Sequence, residues 1–484
     1  MLDACGQLCM VMSLEFLLHH SSHDKPCIIV AYKGVLSTAL EKLKYSESLR
    51  CLLTILPLDL LPQMPIQPRL ISNAVPSVVK PTTLLILVDD DSIGSGWCEQ
   101  VPIHASSDKI EWHLSLLQFS QEGYNVLHVK YPSVEEDGYD LRQALLKADE
   151  EVSKLGCDWA LITYGLSAVD ARALQFSILS PWNDLKACIH FCPNTTSAKP
   201  FLLKKKSGGY IPSVFHIPAS QELLHAALVP HTQAEQPNNG RSHPVISLFT
   251  YPLVPEKCPF PLMLNAPSRA ARETVCPHIR SATTLSLTRT LTLLRRCIGP
   301  YFDLESVWEE HAHYEFVERD AQKTLSTMVS EPYVNHISTL TGGMGRQDLL
   351  RFYKYHFTGL DTTPPDTEMI TVSRTVGTDR IIDEMIFKCT HTTEIDYFLP
   401  GIPPTGKKLE FPVVGIVAFR GDKMFFEHIY WDQASVLVQL DLLDATNLPV
   451  AGVDVARKVL DPFGVPSNTL LARWKTSEGL STDS

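Results

Sequence analysis

The sequence predicts a multidomain protein in which an α/β domain, residues 81–300, is followed by an α+β domain, residues 301–472. Three observations lead there. The 484 residues exceed what a single hydrophobic core usually supports. From residue 82 short apolar runs alternate with amphipathic stretches, the grammar of βαβ units. Beyond Gly299-Pro300 the order changes to helices first and long strand-like stretches afterwards, which describes α+β. Residues 1–80 read as an N-terminal extension and 473–484 as a flexible tail.

Within the extension, residues 27–32 have the pattern of a strand and 36–43 that of a helix, and prolines at 57, 62, 65, 68 and 76 then break regular structure. The α/β domain opens with the apolar run 83–88, a helix over 110–121 and a strand over 124–131. A helix over 141–155, a strand over 159–164 and a helix over 168–179 continue the alternation. Strands over 186–192, 212–217 and 245–251 and a helix over 280–298 complete it, giving a parallel sheet covered on both faces. In the second domain, helices over 304–319 and 348–357 precede strands over 368–376, 381–392, 409–419 and 424–433, expected to pair antiparallel.

Bulk properties exclude some functions. A net charge of -12 argues against a broad phosphate-binding face, because nucleic-acid affinity rests on clustered Lys and Arg. The one basic run, Lys204-Lys205-Lys206, precedes Ser207-Gly208-Gly209 and reads as a solvated loop. The twelve cysteines are scattered, without the spaced pairs of a disulfide scaffold or zinc finger, so a reducing, cytoplasmic setting is expected. Cys188, His190 and Cys192 would share one face of a strand; a metal site and a plain buried strand both fit, and the missing second ligand pair favours the strand. The first twenty residues make a poor secretory signal and no apolar run is long enough for a bilayer, so neither membrane nor nucleic acid is an expected partner.

A strand-to-helix turn at Thr163-Tyr164-Gly165-Leu166-Ser167-Ala168 stands where an α/β-hydrolase would expose its nucleophile. It resembles the Gly-Tyr-Cys-Leu-Gly-Gly elbow of dienelactone hydrolases at Tyr164 and Leu166, with Gly165 in place of the cysteine. The resemblance implies an α/β-hydrolase-like domain of dienelactone hydrolase type that has lost its attacking atom. The family's acid would fall near Gln221 or Glu222, and its late histidine near Cys258 or Pro259. Ser167 is either a nucleophile on an elbow slipped by two residues or the N-cap of the following helix, and the cap reading is preferred.

The second domain carries more specific motifs: Thr390-His391-Thr392, Gly401-Ile402-Pro403-Pro404-Thr405-Gly406, Phe419-Arg420-Gly421-Asp422-Lys423 and Glu427-His428-Ile429-Tyr430-Trp431-Asp432. Their order and spacing resemble the SnoaL-like polyketide cyclases of the nuclear transport factor 2-like superfamily. Tyr333-Val334-Asn335-His336 and Arg374-Thr375-Val376-Gly377 resemble proteins that fuse such a domain to a dienelactone-hydrolase-like one. The implied fold is an α+β cone with a cystatin-like barrel.

Strand alternation places His428, Tyr430 and Asp432 on one face and Glu427, Ile429 and Trp431 on the other, and it groups Asp383, Met385, Phe387, Cys389 and His391. The resemblance implies Asp432 as general base, abstracting a proton beside a carbonyl before ring closure, with no metal or organic cofactor. A bland alternative has Asp432 bonding backbone at the strand end. His391, His428 and Tyr430 are candidates for oxyanion donor and proton shuttle, and Asn335, His336, Asp383, Phe387 and Trp431 for substrate contacts. His311 and His313, two apart on a helix, make a poor metal pair and are assigned to packing and surface.

The functional expectation is therefore a cyclase or isomerase of a small, carbonyl-rich, polyketide-like metabolite in secondary-metabolite biosynthesis, working by acid–base or shape-directed ring closure. Alternatives are a carboxymethylenebutenolidase-type lactone hydrolase using the α/β domain, and a non-catalytic ligand-binding protein. Pairing of two copies through the second domain is also expected from the resemblance.

Overall fold

A computed structural model describes residues 68–89, 114–131, 139–178, 185–205, 208–232, 244–254 and 277–482. The elements expected over 27–32 and 36–43, and the histidine position near Cys258, lie outside the described residues.

The first sheet has seven strands. In chain order its elements are β1 (Arg69–Ile71), β2 (Thr83–Asp89), α1 (Leu114–Gln121), β3 (Asn125–Tyr131), α2 (Tyr139–Leu155), β4 (Trp159–Tyr164), α3 (Ala168–Ile178), β5 (Leu185–Phe191), β6 (Ser213–Pro218), α4 (Glu222–Thr232), β7 (Ile246–Tyr251) and α5 (Pro277–Ile298). The strand order is β1-β3-β2-β4-β5-β6-β7, with β1 antiparallel to β3 and all other pairs parallel. Successive side chains leave opposite faces of a strand. Leu85, Leu87 and Leu161 accordingly pack with Leu145 of α2, Leu174 of α3 and Leu228 of α4. Leu84, Ile86 and Ile162 pack the other way, with Phe119 of α1 and with Leu291 and Leu294 of α5. Every residue of β4 is buried, as a central parallel strand requires. The sheet begins earlier than expected, because β1 lies inside the stretch assigned to the extension.

The second sheet follows α6 (Leu304–Phe316) and α7 (Ala321–Ser326). It comprises β8 (Met328–His336), β9 (Thr341–Met344), β10 (Glu368–Val376), β11 (Arg380–Thr390), β12 (Lys408–Arg420) and β13 (Lys423–Trp431), with α8 (Gly345–Phe352) between β9 and β10, and α9 (Gln433–Gln439) and α10 (Asp454–Leu460) at the end. Strand order is β10-β11-β12-β13-β8-β9, antiparallel throughout except for the β13–β8 pair. The four expected strands, β10 to β13, pair antiparallel, and the sheet is mixed because β8 joins it in parallel. β8, which the sequence pattern did not mark, enters beside the last long strand; Pro332 and the run Ser330-Glu331 obscure its alternation. The helix expected to run to residue 357 ends as α-helix at Phe352 and continues as one π-helical turn, Tyr353–Phe357. Tyr353, where that turn starts, is buried on the same stripe as Leu349 and Phe352.

Asp303 starts α6 by accepting the Ser306 N–H, and Asp320 starts α7 by accepting those of Gln322 and Lys323. The buried stripe of α6 is Leu304, Trp308, His311 and Glu315, spaced i, i+4, i+7, i+11. It lies over the inner face of the second sheet, whose residues include Met385 and Phe387 of β11, Phe411, Val413 and Val417 of β12, and Ile429 of β13.

Residues 66–484 form one compact unit, so the two sheets are joined by real contacts. The tight turn between β12 and β13 is pressed against the end of α1: Gly421 has φ +58°, and a Cβ there would lie 2.5 Å from the Gln121 carbonyl oxygen. The Gly421 N–H donates to Glu122 Oε2 at 3.2 Å, and Arg295 Nη2 donates to the same oxygen at 2.7 Å. The turn between β10 and β11 meets α5, where Thr288 donates to Asp379 Oδ2 at 2.7 Å. No helix among the described residues is long and apolar enough to cross a membrane.

Candidate functional site

The turn after β4 contains no attacking atom at the expected position. Gly165 has φ +64° there, and its N–H is bonded to the Phe191 carbonyl at 2.9 Å. Ser167 donates its hydroxyl to Asp170 Oδ2 at 2.7 Å and accepts the Asp170 N–H at 3.1 Å, the geometry of a helix cap. Glu222 is exposed in the first turn of α4. In β5, Cys188 and His190 are fully buried and burial pushes the Cys188 thiol well up. His190 is held against Thr163 Oγ1 at 2.8 Å and lowered to about 3, by burial first, with a backbone bond at Phe201 opposing. Cys188, His190 and Cys192 form no three-ligand cluster among the described residues.

In β13 the alternation holds, but the face expected to line the interior is the outer one. Tyr430 is 41 % exposed, and His428 is half-buried between the Tyr333 and Phe426 rings. Asp432 is exposed and caps α9, accepting the Ser435 N–H at 3.2 Å and the Ser435 hydroxyl at 2.6 Å. The trio assigned to catalysis is therefore not gathered inside. The face bearing Ile429 and Trp431 is the more apolar, so it is the one the core takes, and Glu427 goes in with it.

The other candidates divide between the two sides of the sheet. Asn335 is half-buried on the side of β8 away from Val334 and His336. His336 is buried among the rings of Phe352, Phe357, Tyr397, Phe398 and Trp431; its Nδ1 has no hydrogen-bond partner, and burial lowers it to about 4 against the opposing charge of Glu427. His391 is buried just past β11, its Nδ1 3.1 Å from Thr405 Oγ1 and its Nε2 without a partner. Phe387 is a core residue between Phe398 and Phe411. Asp383 points inward, held by Trp308 Nε1 at 2.8 Å and by a two-pronged Arg374 at 2.8 and 2.9 Å; its charge is fully answered.

One turn of α6 from Trp308 lies the group that the sequence reading passed over. His311 Nε2 is 3.0 Å from Glu315 Oε1 and 3.2 Å from Glu427 Oε1, with side-chain exposures of 0, 4 and 5 %. Tyr353 donates its hydroxyl to Glu427 Oε1 at 3.3 Å and lies 3.5 Å from His311 Nε2. Trp308 stacks on the imidazole at 5.8 Å.

The hydrogen-bond chain on the far side of His311 fixes its tautomer. Thr327 Oγ1 gives its proton to the Thr324 carbonyl at 2.7 Å, so across the 2.6 Å contact with His311 it must accept, and Nδ1 carries a hydrogen. Nε2 then faces two carboxylate oxygens. Either Nε2 is protonated or a carboxyl O–H donates to it; in both cases a proton is held in that gap. Burial alone would lower the imidazolium, but the charges and hydrogen bonds of Glu315 and Glu427 together raise it to about 10. Burial raises Glu315, with His311 opposing and Glu427 reinforcing, and burial likewise raises Tyr353. The arrangement stores a proton beside a base in a water-poor interior.

The sequence held a signal for this cluster. His311 and Glu315 sit on the apolar stripe of α6, where a polar side chain must be matched by something inside. His313, expected at the surface, is half-exposed and meets Glu318.

No family model matches the chain, and no curated protein does. Solved structures match part of it. A SnoaL-like polyketide cyclase candidate from Jannaschia is 15% identical over 30% of this chain and 99% of that one, with a TM-score of 0.24. TsrD from Streptomyces laurentii is 16% identical over 30% and 100%, TM-score 0.24. A protein with a ketosteroid isomerase-like fold from Catenulispora acidiphila is 12% identical over 30% and 96%, TM-score 0.23. Likeness at this level assigns no activity to this chain.

Proposed function

We propose that the second domain performs general acid–base chemistry on a small carbonyl-bearing metabolite, as a cyclase or isomerase, and that the His311–Glu315–Glu427–Tyr353 group carries it. The observation behind this is the proton held between one imidazole nitrogen and two buried carboxylates. In this reading Glu427 takes the proton from the carbon next to the carbonyl. Glu315, whose carboxyl is pushed up by burial, and His311 supply the proton to the developing enolate oxygen, and the Tyr353 hydroxyl helps hold that oxygen. Neutral His336, with Nδ1 unpartnered on the same inner face, orients a polar group of the substrate. The bland alternative is a self-satisfied structural cluster; its surplus carboxylate speaks against it, since an ion pair built for stability needs only one.

For the first domain, the reading as a dienelactone-hydrolase-type domain retained as a scaffold rests on the sequence resemblance at Tyr164 and Leu166 alone. Lactone hydrolysis finds no support at Gly165 or Ser167.

The test is a screen of the purified chain against small ketones and polyketide-like carbonyl compounds in D2O, followed by NMR. Enzyme-dependent exchange or ring closure that disappears in Glu427→Gln supports the reading. Turnover that survives Glu427→Gln and His311→Gln unchanged refutes it.

A further inference from the structure

We propose that His311, Glu315 and Glu427 bind one divalent first-row transition-metal cation. This departs from the metal-free chemistry that the sequence resemblance implies, and it stands on ligand geometry without need of the acid–base reading.

Three independent features carry it. First, the donor atoms already have the spacing of neighbouring ligands around one ion. Donors 2.0–2.2 Å from a metal lie roughly 3.0 Å apart at right angles and about 3.4 Å apart in a tetrahedron. The Nε2 to carboxylate distances are 3.0 and 3.2 Å, and all three donors lie within 4.8 Å of one another.

Second, the imidazole is oriented as a ligand is. A metal-binding histidine usually donates its other ring N–H to a fixed acceptor, which sets the tautomer and aims the lone pair. Here Nδ1–H is committed to Thr327 Oγ1, itself committed to the Thr324 carbonyl, so the coordinating lone pair of neutral His311 is on Nε2 and faces the carboxylates. The Tyr353 hydroxyl donates to Glu427 Oε1, the oxygen that faces Nε2, and holds that carboxylate in place.

Third, two carboxylates are buried against one imidazole, an arrangement that a dry interior tolerates only with a proton or a cation held between them. Arg374, on β10 at the edge of the same sheet, is already engaged by Asp383, Glu305 and Glu309. A divalent ion replacing the shared proton brings the three ligands to neutrality; that proton leaves to solvent as the ion enters.

One nitrogen and two oxygens, without sulfur, suit Zn2+, Mn2+, Fe2+ or Co2+; Ca2+ wants six to eight oxygens. Three protein ligands leave a position for water or for a substrate carbonyl.

The experiment uses the full chain stripped with chelator and titrated calorimetrically with Zn2+ and with Mn2+. One equivalent is expected, with affinity falling at least a hundredfold in Glu427→Gln and in His311→Gln. His313→Ala, on the outer side of the same helix, retains it. Because a variant can fail to fold, pulsed EPR of the wild-type Mn2+ complex gives a second readout: coupling to a single imidazole 14N is expected. No stoichiometric binding, affinity unchanged in both ligand variants, or a bound ion without 14N coupling overturns the proposal. None of these readouts uses turnover. Metal-free protein that still exchanges substrate protons would leave the acid–base reading intact while binding is judged separately.

Discussion

Glu427→Gln separates a working site from a structural one, because the two carboxylates do not contribute equally to what His311 needs. In the wild type Glu315 Oε1 at 3.0 Å and Glu427 Oε1 at 3.2 Å share one Nε2. Replacing Glu427 by its isosteric amide keeps an acceptor for the Tyr353 hydroxyl and leaves His311 paired with Glu315. It also removes repulsion between two buried like charges. The expected stability change is within about 1 kcal/mol of zero, far below the roughly 3–5 kcal/mol that breaking a needed buried pair costs. His311→Gln, by contrast, strands both carboxylates and should cost about 3–5 kcal/mol. On activity the order reverses in meaning: loss of a positioned base costs typically 10²- to 10⁴-fold in rate, about 3–5 kcal/mol in the barrier. Urea melts of metal-free wild type and both variants, followed by far-UV circular dichroism, give the stability half. A Glu427→Gln variant destabilised by more than about 3 kcal/mol would show that the second carboxylate is structural and refute the reasoning.

Other consequences can be measured on the same protein. Glu122→Ala leaves buried Arg295 with only the residue-122 carbonyl and Tyr124 as hydrogen-bond partners and removes the acceptor of the Gly421 N–H, so urea melts should show a loss of about 3–5 kcal/mol; a loss below about 1 would mean that this bridge does not couple the two sheets. Gly421→Ala should destabilise as well, since its Cβ meets the Gln121 oxygen at 2.5 Å; an unchanged melting temperature would contradict that contact. His336, lowered to about 4, makes the fold acid-sensitive: the unfolded chain takes up the proton near the ordinary histidine value, so stability present at neutral pH is lost as pH falls toward 4. The loss at pH 5 is about 2 kcal/mol for this residue, and His190 and His216 act in the same direction. Melts at pH 7.5 and 5 in wild type and His336→Phe check it, the variant showing the shallower pH slope; equal slopes would refute the assignment.

Much of the architecture was legible because patterning and packing agreed. β4 and β10 occupy the residues their apolar or alternating runs indicated, and the change of order after Gly299-Pro300 coincides with the passage from the first sheet to the second. β8 was not legible, since Ser330-Glu331-Pro332 interrupts its alternation and its burial comes from a parallel neighbour distant in sequence. The site was half legible. Alternation grouped Glu427 with Ile429 and Trp431 correctly, yet which group faces inward depends on the helix laid across the sheet, and only the greater apolarity of that face hinted at it. Asp432 resembles a catalytic carboxylate by position but sits where a strand turns into a helix, and there a carboxylate finds free N–H groups to cap. Tyr353 lies i+4 from Leu349 on the buried stripe of its helix, but its hydroxyl's partner Glu427 is 74 residues away in sequence.

The most direct measurement compares Glu427→Gln with Asp432→Asn in substrate-dependent deuterium exchange from D2O, both proteins being checked for folding. Asn also caps helices, so Asp432→Asn should fold normally and retain wild-type exchange. The account predicts that Glu427→Gln loses 10²-fold or more while Asp432→Asn keeps its rate. The reverse pattern, exchange abolished by Asp432→Asn and intact in Glu427→Gln, would contradict it.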